Sequence, residues 1–240
     1  MCDICERRAV DRRAFLGLAA AAAVATSAGF SATPAGAAGG PTTDLTPAQA
    51  LAKLKAGNER YVTDAQVCAA DLGGQRAHVA GGQAPWASIV SCADSRVPPE
   101  LLFGGLGLGE LFVARNAGNL VDTGVLGTLE YGAAVLGVPL IVVLGHQRCG
   151  AVSAACSVVT RNATFPGSIG PMIEPIVPAA LAVKDAGGDF VTEATKESAR
   201  RTAARIVAHS SVIAPLVEAG KVMIVPAYYD LDGGKVAFLA

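Results

Sequence analysis

The 240-residue chain predicts an α/β fold: a mainly parallel β-sheet flanked by helices, with a helical arm on the N-terminal side. Three observations carry this. The runs "ASIVS", "ELFVAR", "PLIVVLG" and "KVMIVPA" are each too short for a helix and are bounded by Gly, Pro or charge, as buried strands are. Between the second and third runs lies "TGVLGTLEYGAAVLG", with Leu126, Leu129, Ala133 and Leu136 on one helical face. A strand–helix–strand unit of this size implies parallel strands joined by a right-handed crossover. An apolar share of 52% is enough for one well-cored domain.

The first 37 residues are expected to lie outside that domain. "DRRAFLGLAAAAAVATSAGF" places Arg12 and Arg13 before Phe15, Leu16 and an alanine-rich apolar run. It resembles a twin-arginine export signal, with a small-x-small cleavage site ending at Ala37. The run is broken by Gly17, Thr26, Ser27 and Gly29 and is too weakly apolar to anchor the chain in a membrane. The expectation is a bacterial protein exported to the periplasm or beyond, with residues 1–37 as signal and 38–240 as the domain. Removing the signal takes away Cys2 and Cys5, leaving Cys68, Cys92, Cys149 and Cys156. Four cysteines in an oxidising compartment fit either two disulfides or a metal site. The formal charge of −1 offers no basic face to nucleic acid or anionic lipid.

After Pro41, the segment "LTPAQALAKLKAGNERYV" opens a helix. Thr46 is the N-cap, Pro47 is at N1 and Gln49 at N3, which makes a capping box. "TRNATFPGSIGPMIEP", rich in Gly and Pro, reads as a surface loop. "TKESARRTAARIVAHSSVIAPLVEAG" gives one or two helices stopped by Gly220. "YYDLDGGKVAFLA" reads as a hairpin turning at Asp232-Gly233-Gly234.

The chemistry sits at strand ends. Cys92 closes the first apolar run and is followed by Asp94 and Arg96, then by the double proline Pro98-Pro99. His146 and Cys149 follow the third run at a spacing of three. Ligands of parallel sheets bind beyond the carboxyl ends of the strands. If the two strands are neighbours, Cys92, His146 and Cys149 converge. Two thiols and an imidazole suit zinc, and three protein ligands leave the fourth tetrahedral position open, as catalytic sites do.

Cys-x-Asp-x-Arg followed some fifty residues on by His-x-x-Cys resembles the β-class carbonic anhydrases. "CADSRVPPELLF", "GELFVARNAGN", "GTLEYGAAVLGVPLIVVLGHQRCGAV" and "YDLDGGKV" are similar to that family in order, so the resemblance spans about Leu45 to Leu239. It implies one zinc per subunit on Cys92, His146 and Cys149, and reversible hydration of carbon dioxide to bicarbonate. It implies that Asp94 accepts a hydrogen bond from water on the metal and that Arg96 holds Asp94. It assigns Gln83 as a donor to substrate, Phe112 and Tyr131 as apolar pocket residues, and the backbone near Gly118 and Gly150 as pocket walls. One subclass carries a tryptophan three residues before the cysteine as part of a non-catalytic bicarbonate site; Ile89 stands there, so that site is expected to be absent.

The resemblance also implies a homodimer or higher homo-oligomer with Gln83 facing the partner's zinc, and the helix from Thr46 wrapping the neighbour. Two rivals use the same ligands: a carbonyl sulfide or carbon disulfide hydrolase, and a non-catalytic exported zinc-binding protein. Cys68 and Cys156 read as buried thiols, His78 and His209 as surface residues.

Overall fold

The computed structural model describes residues 42–64 and 72–240. The expected export signal and Cys68 lie outside the described residues. Five strands form one sheet: β1 (Ala87–Cys92), β2 (Leu111–Asn116), β3 (Leu140–His146), β4 (Met223–Tyr229) and β5 (Val236–Phe238), in the order β2-β1-β3-β4-β5. The first four are parallel; β5 returns antiparallel to β4 through the expected Asp232–Gly234 turn. β1 and β3 are neighbours, with every residue of both strands buried. β2 differs from expectation. It is an edge strand, only half buried along "LFVARN", because it has a partner on one side alone.

The helices are α1 (Pro47–Thr63), α2 (Leu72–Val79), α3 (Pro99–Leu102), α4 (Thr123–Ala134), α5 (Gly150–Arg161), α6 (Ile169–Ile173), α7 (Val177–Val183), α8 (Phe190–His209) and α9 (Ile213–Glu218). A 3-10 turn, Glu174–Ile176, joins α6 to α7. α1 has the expected capping box: Gln49 N–H donates to Thr46 Oγ1 and Thr46 N–H to Gln49 Oε1. This helical arm buries Ala50 and Leu54 in the chain's own core beside Ile89, Val142 and Leu144. On the other face of the sheet, Leu129 and Ala133 of α4 join Ala199, Ala203 and Ile206 of α8 around Val90 and Val143.

"TRNATFPGSIGPMIEP" is not the surface loop that its Gly and Pro content suggested. Its first residues finish α5 and its last form α6 and the 3-10 turn. Ile173 and Ile176 are buried in a third cluster with Cys92 and Cys149. Pro is tolerated in the first turn of a helix, where its missing N–H has no partner to lose. The prolines here therefore punctuate short helices instead of excluding them. Among the described residues, no helix is long and apolar enough to cross a membrane.

Candidate metal centre

Cys92 is the last residue of β1 and His146 the last of β3, so the parallel pairing delivers both to one end of the sheet. A two-residue turn then brings Cys149 to the N-cap of α5. Arg148 closes that turn at φ +54, a left-handed conformation uncommon for a residue with a side chain. The ligand atoms of Cys92, His146 and Cys149 all lie within 4.8 Å of one another, and all three residues are buried.

The donor set fits zinc on its own chemistry. His146 is fully buried; its Nδ1 lies 2.9 Å from the Gln147 carbonyl oxygen, while its Nε2 has no partner. The carbonyl makes Nδ1 the donor and leaves the Nε2 lone pair aimed at the two sulfurs, the orientation a ligating imidazole needs. The two sulfurs meanwhile shift each other's acidity in opposite directions. The Cys149 contact, with help from the Gly118 N–H, draws the Cys92 thiol down to about 4 despite burial. The same contact, then burial, pushes Cys149 far above the thiol range, against the first-turn amides of α5. A divalent cation among the three donors would let both sulfurs ionise.

Asp94 and Arg96 stand beside the triangle. Arg96 Nε donates to Asp94 Oδ1 at 2.9 Å and Nη2 to Oδ2 at 2.7 Å, and the Arg96 N–H adds a third bond to Oδ1 at 2.9 Å. This fork holds the Asp94 carboxyl well below the usual carboxylate range. Asp94 Oδ2 is 3.9 Å from His146 Nε2, close to the donor triangle while engaged by Arg96. Pro98-Pro99 ends the segment as the cap and first residue of α3.

Two residues absent from the sequence assignment hold this loop. Arg115, on β2, donates from Nε to the Cys92 carbonyl at 2.9 Å and from Nη2 to the Asp94 carbonyl at 2.6 Å. An arginine near the carboxyl end of a strand that pairs with Cys92's strand was the available signal. Asp232, read only as turn chemistry, accepts both Arg148 guanidinium bonds, at 2.8 and 2.7 Å, and one from Gln147. The β4–β5 hairpin thus clamps the turn between His146 and Cys149.

The residues assigned to substrate divide into two groups. Gly118, at φ +86, donates its N–H to Cys92 Sγ at 3.4 Å, and an added Cβ would meet Ile176 Cδ1 at 2.8 Å. Gly150 opens α5 next to Cys149 with nothing within 4 Å of an added Cβ. Both line the centre. Gln83, Phe112 and Tyr131 do not reach it within one chain. Gln83 is exposed and precedes β1, six residues of strand, or roughly 20 Å, from the Cys92 end. Phe112 pairs with Ser88 at that same far end and stacks on Tyr131 at 6.2 Å between centroids, with Tyr131 half exposed. His78 and His209 are exposed on α2 and α8. Cys156 is a buried free thiol.

A family model described as carbonic anhydrase matches residues 87–236. The chain is 41% identical over 190 residues to carbonic anhydrase 2 of Mycobacterium tuberculosis, covering 79% of this chain and 91% of the relative. It is 38% identical over 190 residues to a carbonic anhydrase of Mycolicibacterium smegmatis, covering 79% and 92%. Among solved structures, it matches the Coccomyxa β-carbonic anhydrase in complex with acetazolamide at TM-score 0.61 and 27% identity, covering 79% of this chain and 83% of the other. It matches a β-carbonic anhydrase described as tetrameric, from the filamentous ascomycete Sordaria macrospora, at TM-score 0.62 and 25% identity, covering 70% and 91%.

Proposed function

The chain belongs to the carbonic anhydrase family, in its β class, and from that premise we propose that it hydrates carbon dioxide reversibly at one zinc ion held by Cys92, His146 and Cys149. The observation that carries the proposal is the buried triangle with its unpartnered His146 Nε2, set beside an Asp94 already ionised by Arg96. Zinc, when bound, supplies a Lewis acid that lets water lose a proton near neutral pH.

The chain's residues do the rest. Two thiolates offset the charge of the cation, so the attacking water must be oriented as well as activated. Asp94 accepts its hydrogen bond, and the three bonds from Arg96 keep that carboxylate ionised and fixed. Arg115 holds the Cys92 and Asp94 carbonyls and so sets the ligand and the acceptor relative to each other. Gly150 leaves open space beside Cys149 in which carbon dioxide approaches, and Gly118, packed against Ile176, forms a wall of the centre.

The remote placement of Gln83, Phe112 and Tyr131 supports a homo-oligomer in which a second subunit brings them to the centre. Their common position at one end of the half-buried edge strand β2 is suited to that. We also propose that residues 1–37 export the chain through the Arg12-Arg13 signal. A folded cargo would carry zinc already bound by its thiolates from the reducing cytoplasm. Carbon dioxide hydration by the zinc-loaded 38–240 chain, measured beside sulfide release from carbonyl sulfide, tests the activity. Rapid hydration without sulfide supports the proposal, and the reverse pattern rejects it.

A further inference from the structure

A cavity of about 750 Å³ lies between the second half of α8, the α6–α7 segment and the loop from β2 into α4. None of Cys92, Asp94, His146 or Cys149 lines it. Its volume is in the range of small-molecule pockets. One wall is apolar: Leu120, Met172, Ala179 and the three prolines Pro171, Pro175 and Pro178. The facing wall is the α8 stripe Ser198, Thr202, Arg205 and His209, spaced to fall on one side of the helix.

That stripe carries unused hydrogen-bonding capacity. Ser198 and Thr202 are 3% and 6% exposed as residues and line the cavity, and no protein hydrogen bond engages either hydroxyl among the described residues, so both are open to whatever fills it. Arg205 likewise has no hydrogen-bond or ion-pair partner among them. The other charges on the lining are largely committed. Arg201 donates from Nε to Glu197 at 2.7 Å, and Asp122 Oδ1 accepts the Val125 N–H that caps α4. An exposed guanidinium without a protein partner, two hydroxyls that face the cavity and an opposing proline wall are complementary to one kind of ligand.

We propose that this cavity binds a small organic monoanion with an apolar body. Its carboxylate pairs with Arg205 and accepts from Thr202 and Ser198, and its hydrocarbon part packs on the prolines. A charged acceptor replaces solvent on these donors, and the Arg–carboxylate bond is the strong one of the set. Bicarbonate, which would leave the proline wall uncovered, is the poorer fit.

Calorimetric titration of the zinc-loaded chain with 1-naphthoate tests this, with neutral 1-naphthalenemethanol as the matched control. The wild-type chain binds 1-naphthoate, and the alcohol at least about tenfold more weakly. Arg205→Ala weakens 1-naphthoate by a similar factor, and Thr202→Val by a smaller one. Carbon dioxide hydration is unchanged in Arg205→Ala, and Cys149→Ser still binds the probe. Equal affinity for acid and alcohol, or no binding to the wild-type oligomer, would overturn the proposal. So would binding kept in Arg205→Ala but lost in Cys149→Ser, because the anion would then sit at the metal centre.

Discussion

Asp94 and Cys149 lie within a few ångströms of the same point and have different tasks. Asp94→Asn keeps the size of the side chain and removes its charge, so Arg96 loses its fork partner and the amide can present a donor where an acceptor is needed. The three metal donors are untouched. Zinc content should stay at one per chain while hydration falls by roughly 10²-fold or more. Cys149→Ser exchanges a thiolate for a neutral hydroxyl, a poor zinc ligand, and should lose metal and activity together. Metal analysis beside rate measurement separates the two, and loss of zinc from a folded Asp94→Asn chain would make Asp94 a ligand. Cys156 supplies the contrast. Burial pushes its thiol up to about 11, so at pH 8 it is almost wholly protonated and unreactive. Iodoacetamide should leave Cys156 unlabelled in the native chain at pH 8 and label it after denaturation, with peptide mass mapping as the readout.

At the scale of elements, α1 makes a close backbone approach to the body at Gly57. A Cβ added to Gly57 would lie 2.0 Å from the Phe103 carbonyl oxygen and 2.8 Å from its carbon. Backbone cannot give way as a flexible side chain can. Gly57→Ala should therefore lower stability by about 2–3 kcal/mol in urea unfolding, despite alanine's better helix propensity. Most elements were legible because one local signal dominated each. Thr46-Pro47-x-Gln49 specified the start of α1, and continuous apolar runs specified β1 and β3, which are buried on both faces. Cys92, His146 and Cys149 were legible because they follow such runs. β2 was misjudged since "ELFVAR" is equally apolar whether a strand has one neighbour or two, and strand order is a tertiary fact. Ile173 and Ile176 were hidden by the surrounding Gly and Pro. Arg115 and Asp232 were missed because their partners are mostly backbone or turn groups, distant in sequence from the residues they hold.

At the scale of the whole molecule, the chain separates its metal centre from three of the residues its family assigns to substrate. Gln83, Phe112 and Tyr131 sit toward the opposite end of the sheet from Cys92, so an active site built from all of them needs two chains. Subunit mixing makes this measurable. Gln83→Ala retains zinc and lacks the donor; Cys149→Ser retains Gln83 and lacks zinc. Each alone should be nearly inactive, and dissociating and reassociating the two together should restore activity, because a mixed pair has one complete site. Activity no greater than the sum of the separate variants would mean that Gln83 does not act across an interface.

The central claim is that the Cys92–His146–Cys149 triangle is a zinc centre that hydrates carbon dioxide. Stepwise return of zinc to the metal-free 38–240 chain, with stopped-flow hydration followed at each addition, tests it most directly. The rate should rise in proportion to bound zinc and level off at one ion per chain. A chain that reaches one zinc on these three residues and still leaves carbon dioxide hydration at the uncatalysed rate would contradict it.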